Sequence, residues 1–147
     1  MIGLTFLRSA LSGAALAACV TFASPALAET VAFKADLKAS EEVPANDSKG
    51  TGTVTATYDT ASKKLTWKGN YSGLTGPATM AHFHGPAEPG KNAGVAVPIT
   101  PSASPFENSA NLTDAQAADL MAGRWYVNVH TAAHPGGEIR GQLVKGM

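Results

Sequence analysis

The sequence predicts an all-β domain, an antiparallel sandwich or barrel of about seven short strands with one short helix. Apolar and polar residues alternate with a period of two in seven short stretches within residues 31–143. The alternating positions are rich in β-branched and aromatic residues, which suit a pleated, half-buried surface. Clusters of Gly, Pro, Asn and Asp separate the alternating stretches and predict turns between the strands.

The first half of the chain predicts three strands. Residues 31–37 alternate, and Pro44 with its polar neighbours ends this pattern, because proline cannot donate to a ladder. Residues 53–58 and 65–71 alternate in the same way. The five small or polar residues at 59–63 predict a hairpin connection between them.

The second half predicts four more strands and the helix. Thr113 and Gln116 form a capping box at the start of the helix, and Gly123 is a natural end. Because the helix is short, we expect it to pack as a crossover between strands. Residues 100–108 contain two prolines and are expected to be irregular. The strands are predicted over residues 80–84, 94–99, 125–130 and 138–143.

Residues 1–28 are typical of a secretory signal peptide, which leaves one domain over residues 29–147. A single positive charge precedes a small apolar run, and the sequence Ala-Leu-Ala ends at Ala28 in a cleavage pattern. An alternative is a lipobox that would acylate Cys19 and anchor the protein to a membrane. Cleavage after Ala28 is favoured because the apolar run continues past Cys19. Either processing route predicts a periplasmic or secreted protein.

The composition argues against nucleic acid and membranes as partners and against cysteine as a ligand. The sequence has 11 basic and 11 acidic residues, so no electrostatic footprint for nucleic acid or an anionic membrane is expected. The apolar run is too short to predict a membrane span. Cys19 is the only cysteine, so a chain cleaved after Ala28 has neither a disulfide nor a thiolate ligand.

All four histidines lie in two short clusters that end in Gly and Pro. Residues two apart on a strand point the same way, so His82 and His84 share a face while Phe83 faces the core. His130 takes the polar face of its own strand, and His134 follows in a predicted loop. If these two segments are neighbours, three or four imidazoles meet at one metal ion.

Nitrogen donors without thiolates suit copper(II) or zinc. Met80 shares the face of His82 and could add a thioether for copper(I), although a core-filling methionine is the favoured interpretation. The alternative for the histidines is that they are solvated or bond loop carbonyls. Glu138 and Arg140 share a strand face, and a structural pair is favoured over an acid/base role for Glu138.

Six segments between Phe33 and Leu143 match one known domain type. They are residues 37–44, 73–74, 81–87, 112–113, 123–131 and 135–143. Through these segments, of which the last two are the most specific, the chain resembles the chordin-type (CHRD) domain, a family named for repeats in an extracellular antagonist of growth factors. The resemblance implies architecture more firmly than function.

A more distant resemblance is to Cu/Zn superoxide dismutase. It implies a Greek-key, immunoglobulin-like β-sandwich of about seven to eight antiparallel strands. His82, His84 and His130 match the dismutase's H-x-H pair and its later strand-ending histidine, which hold copper there. The chain departs elsewhere, because residues 94–98 contain no bridging histidine and no cysteine pair is present. Arg140 is only a loose match to the dismutase's active-site arginine.

Together these observations predict an exported protein that binds copper, with zinc less favoured, through His82, His84, His130 and His134. Buffering or delivery is expected rather than turnover. One alternative is a metal-free, extracytoplasmic interaction module, which predicts an exposed apolar or aromatic patch, for example around Trp125 or Tyr126. A second alternative is a weak copper oxidoreductase of the dismutase type.

Overall fold

Nine antiparallel strands and one helix build a β-sandwich from residues 28–146, the part of the chain that the computed structural model describes. The predicted all-β class and the short crossover helix are confirmed. The predicted signal peptide and Cys19 lie outside the described residues, apart from Ala28. None of the helical structure in residues 28–146 is long and apolar enough for a membrane crossing.

The elements follow the predicted order along the chain. They are β1 (Thr30–Lys38), β2 (Thr51–Asp59), β3 (Lys64–Ser72), β4 (Ala78–His84), β5 (Val95–Pro98), β6 (Phe106–Asn111), α1 (Asp114–Met121), β7 (Tyr126–Thr131), β8 (Ile139–Gln142) and β9 (Val144–Lys145).

Pairing runs in the order β5-β4-β7-β8-β1-β2-β3-β6, and β9 adds a short pairing to β1. One residue pair, Lys38 with Arg140, joins β1 to β8, so two four-stranded sheets meet at this corner. Gly141 permits the corner, because a Cβ there would lie 2.4 Å from the Asp36 carbonyl oxygen. The chain crosses between the sheets at β3–β4, β5–β6, β6–β7 and β8–β9, and α1 makes the third of these crossings.

The apolar faces of the two sheets enclose the core. Trp67 on β3 packs edge-on against Phe83 on β4, with ring centroids 5.1 Å apart, and so links one sheet to the other. Phe83 and Val127 are fully buried, as the alternation predicts. The core therefore fixes which face of β4 and β7 points away from it, which is the face that bears the histidines.

Two strands were not predicted. Residues 106–111 form β6 at the edge of a sheet, although residues 100–108 were expected to be irregular. The prolines lie before this strand, and β6 pairs with β3 over six residue pairs. The two-residue strand β9 is too short to give an alternation signal.

The helix agrees with its sequence signals. Thr113 and Gln116 form both hydrogen bonds of the capping box, and Leu120 is buried in the core. Gly123 adopts a φ of 74°, the left-handed conformation that ends a helix without a steric penalty.

Candidate metal centre

Strands β4 and β7 are direct neighbours, and this pairing brings the two histidine segments together. In the register, Met80 lies opposite His130, His82 opposite Asn128 and His84 opposite Tyr126. Side chains alternate along each strand, and all of these residues alternate with Phe83 and Val129, which point into the core. Their side chains therefore point away from the core. The histidines therefore lie on one outer face of the sheet, as the period-two pattern predicts.

This outer face is covered rather than open to solvent. All six residues of β7 are buried, including Asn128 and His130, and His84 is also buried. The loops around Asn92 and Pro135 cover the outer face and form hydrogen bonds with Arg140 and His130 on it. The Asn92 side chain also donates to the Val43 carbonyl in the loop that contains Glu42. The sequence predicted only that these histidines face away from the core, so their burial under loops is new information.

Two backbone carbonyls fix the tautomers of the buried imidazoles. The Nδ1–H of His84 donates to the Ala93 carbonyl at 3.0 Å, and the Nδ1–H of His130 donates to the Pro135 carbonyl at 2.9 Å. A carbonyl can only accept, so each ring carries its proton on Nδ1 and leaves a lone pair on Nε2. The same arrangement orients histidine ligands in metalloproteins.

The three imidazoles converge on one point. One ligand atom from each of His82, His84 and His130 lies within 4.8 Å of the others. His82 Nδ1 and His130 Nε2 are 3.2 Å apart, a distance at which the metal-free protein can form one hydrogen bond between the rings. His84 Nε2 is buried and has no hydrogen-bond partner. An unpaired buried lone pair costs free energy unless a ligand or proton occupies it.

The electrostatics of the cluster favour neutral rings at His82 and His84. Burial lowers the pKa of His82 below its usual value, and the neighbouring His130 and His84 lower it further. Burial also lowers the pKa of His84, although its hydrogen bond to the Ala93 carbonyl acts in the opposite direction. Neutral imidazoles keep the lone pairs that a metal requires.

His134 lies outside the three-histidine cluster. Its backbone closes the turn after β7, since its N–H donates to the Thr131 carbonyl and its carbonyl accepts from Gly137. The structure thus brings together three of the four predicted ligands, and a metal-binding role for His134 stays a prediction.

Met80 is 48 % exposed, which corrects the interpretation that it fills the core. Its parity places it on the outer face with His82, and that end of the face is open to solvent. Trp125 and Tyr126 are buried, so the exposed patch that a metal-free interaction module predicts does not lie at these positions.

Glu138 and Arg140 have separate partners rather than forming the predicted pair. The Glu138 carboxylate accepts hydrogen bonds from Ser48, Thr75 and Thr131. The Arg140 guanidinium donates to Asn92 Oδ1 and to the Lys91 carbonyl, and it lies 3.5 Å from the centroid of the Tyr126 ring. Both residues tie loops to the outer face of the sheet.

The Tyr126 ring in turn stacks on the His84 imidazole, with ring centroids 4.8 Å apart and planes 4° apart. A continuous stack therefore runs from Arg140 through Tyr126 to His84. Stacking restricts rotation of the His84 ring and holds its Nε2 atom toward the cluster.

Glu42 and Asn128 are two residues of this region that sequence analysis did not select. Both are buried, and Glu42 Oε1 and Asn128 Oδ1 have no hydrogen-bond partner. Burial raises the pKa of Glu42 to about 7, against the opposing charge of Arg140. The period-two pattern of β7 could have placed Asn128 on the same face as His130. Glu42 lies in a loop segment, which has no periodic pattern.

Comparison with protein families identifies the family of this chain. The family model of the CHRD domain matches residues 33–143, most of the chain. This chain belongs to the CHRD domain family. Comparisons with curated proteins and with solved structures gave no significant match. In this CHRD domain the histidine cluster lies entirely within the matched residues.

Proposed function

We propose that this CHRD-domain protein is exported and binds a transition metal ion through His82, His84 and His130. Copper is the favoured ion and zinc the second. The protein would buffer or deliver the ion rather than use it in turnover. The observation that carries the proposal is the convergence of three imidazole nitrogens within 4.8 Å of one another, with His84 Nε2 buried and unpartnered.

The spacing between His82 and His130 suits a shared ion, and the bound of 4.8 Å for all three nitrogens requires His84 to move inward by up to about 1 Å on binding. Two nitrogens that each lie about 2 Å from one ion are roughly 3–4 Å apart, depending on the coordination angle. The separation of 3.2 Å between His82 Nδ1 and His130 Nε2 falls in this range. A bound ion would accept the lone pair of His84 Nε2 and would replace the hydrogen bond between His82 and His130.

The donor set supports copper(II) and zinc over harder ions. The cluster contains three imidazoles and no carboxylate, and magnesium and calcium prefer oxygen ligands. Copper(II) forms the stronger complexes of the two favoured ions with nitrogen ligands. The leader-like character of residues 1–28 supports export. A periplasmic or secreted protein would meet metal ions outside the cytoplasmic buffers.

Isothermal titration calorimetry with copper(II) tests the proposal on the chain without its leader. Wild type should bind one ion, and His82→Ala should weaken the affinity by about 100-fold, because one of three ligands is lost. His82 is only partly buried, so its replacement should leave the fold intact. The double variant His82→Ala/His84→Ala should show only feeble heats.

His134→Ala is the matched control, because it removes a histidine that follows β7 in the chain but lies outside the cluster. It should bind copper(II) within about twofold of wild type. Equal, feeble heats from wild type and from the double variant would refute the proposed function. Equal losses in His82→Ala and His134→Ala would show that histidines bind non-specifically.

A further inference from the structure

Met80 occupies an unusual place for a large apolar side chain. It is 48 % exposed, one of three large hydrophobic residues within residues 28–146 that are exposed to this extent. Met121, the other methionine that the structure describes, packs against the core at the end of α1. Core packing therefore explains Met121 and leaves Met80 unexplained.

The backbone places Met80 beside two of the three histidines. It precedes His82 by two residues on β4, so the two side chains share a face, and it lies directly opposite His130 on β7. Side chains of directly paired residues have Cβ atoms about 5 Å apart. The pairing shifts register between Ala78 and Met80, and an irregularity of this kind re-aims the side chains beside it.

The open side of the cluster is the side on which Met80 lies. His84 and His130 are buried, whereas His82 is partly exposed. Met80 and His82 together line a cavity of about 180 Å³ between β4 and the segment that follows β5. The exposed Met80 side chain therefore lies beside His82, the only ligand of the cluster that is partly exposed.

We propose that Met80 supplies a soft fourth ligand that gives the cluster a preference for copper(I). This inference rests on the proposed function and specifies the oxidation state of the cargo. Thioether sulfur is a soft donor that selects copper(I), whereas the three imidazoles bind copper(II) and zinc without it. The copper(I) binds in the reduced state, and the proposal includes no electron transfer.

Anaerobic competition against a chromophoric copper(I) chelator tests this inference, with Met80→Leu as the main variant. Leucine keeps an apolar side chain at an exposed position but removes the sulfur, so the fold should be unaffected. The copper(I) affinity of Met80→Leu should fall by about ten- to 100-fold. Copper(II) and zinc affinities should stay within about twofold of wild type.

Met121→Leu is the matched control, and its copper(I) affinity should equal that of wild type. X-ray absorption of the copper(I) protein should detect a sulfur neighbour in wild type and in Met121→Leu, but not in Met80→Leu. An unchanged copper(I) affinity in Met80→Leu, or no sulfur neighbour in wild type, would overturn the inference. An equal loss of copper(I), copper(II) and zinc binding in Met80→Leu would also overturn it.

These outcomes separate the two proposals. If wild type binds copper(II) and His82→Ala does not, while Met80→Leu behaves as wild type, the histidine site stands and only the role of Met80 fails. If wild type and the double histidine variant bind copper equally weakly, the proposed function fails, and the inference about Met80 fails with it.

Discussion

The outer faces of the two sheets differ although their sequences alternate alike. On β1, every residue that points away from the core is exposed, in strict alternation with buried residues. On β7, the residues that point away from the core are as buried as those that point into it. Polar residues on the first face, such as Lys34 and Asp36, form an exposed ion pair. Polar residues on the second face form an internal network around the histidine cluster.

Hydrogen bonds from the second face hold its covering loops in place. Arg140 binds the loop that follows β4 through Asn92 Oδ1 and the Lys91 carbonyl. Asn92 in turn donates to the Val43 carbonyl in the loop that follows β1. The two loops are therefore tied to each other as well as to the sheet. A polar residue under such cover affects stability and the site, whereas a polar residue on the open face mainly contacts water.

Among substitutions that test the difference between the covered and the open face, Arg140→Leu should change the free energy of unfolding most. The substitution leaves the acceptors of the Arg140 guanidinium unpaired and removes its contact with the Tyr126 ring. We expect the free energy of unfolding to fall by about 3–5 kcal/mol, because two hydrogen bonds from a charged group and one cation–π contact are lost at a buried position. Urea denaturation with chelator present measures this change.

Lys68→Ala is the control, because it removes a cation from the exposed outer face of the other sheet. It should change the free energy of unfolding by no more than about 0.5 kcal/mol. Similar losses in both variants would contradict the distinction between a covered and an open face.

The contrast between the faces also marks what the sequence could predict. Alternation located β1 to β5, β7 and β8, and it placed His82, His84 and His130 on one parity, because side-chain direction follows from strand geometry alone. Which strands are neighbours depends on long-range pairing, and alternation alone does not specify that β4 lies beside β7. Strand β6 was missed because its side chains are mostly polar, and its pairing with the free edge of β3 is a tertiary effect.

Loop cover is the other feature that alternation does not encode. Glu42 and Asn128 belong to the network because loops fold over the sheet, and each loop is irregular in sequence. The same cover explains why the polar face of β7 is buried. Met80 was assigned to the core because methionine is apolar, but its parity already placed it on the outer face, and the loops leave its end of that face open.

Glu138→Gln should have the next largest effect. Burial acts to raise the pKa of Glu138, but hydrogen bonds from Ser48, Thr131 and Thr75 outweigh it and lower the pKa to about 2. Replacement by a neutral amide weakens charge-assisted hydrogen bonds, and we expect a loss of about 2–3 kcal/mol at pH 7.

The pH dependence gives a sharper test of Glu138. The pKa of Glu138 is lower in the folded state than in the unfolded state. Its contribution to the free energy of unfolding is therefore present above about pH 4.5 and is lost as the pH falls toward 2. The difference in the free energy of unfolding between wild type and Glu138→Gln should shrink over this range. A difference that is constant from pH 7 to pH 3 would contradict the lowered pKa.

Glu42→Gln should have the smallest effect and the opposite sign. Burial raises the folded pKa of Glu42 from 4.5 to about 7, so the folded state retains a proton that the unfolded state has lost. The stabilisation that comes from the raised pKa of Glu42 is therefore fully present in the free energy of unfolding below about pH 4.5. It is lost as the pH rises through 7. At pH 8 the wild type buries a carboxylate with an unpartnered oxygen, and Glu42→Gln should be about 1–2 kcal/mol more stable than wild type.

The measurement is the difference in the free energy of unfolding between Glu42→Gln and wild type at pH 5, 6.5 and 8, with chelator present to exclude metal binding. Taking a difference between two variants cancels titrations that they share, including those of the histidines. The advantage of Glu42→Gln should grow with pH, whereas Glu41→Gln, which alters an exposed neighbouring carboxylate, should show no such trend. The opposite result would be a stability of Glu42→Gln relative to wild type that falls between pH 5 and pH 8. It would mean that the folded state stabilises the Glu42 carboxylate, as it does that of Glu138. The contrast between these two buried carboxylates would then not hold.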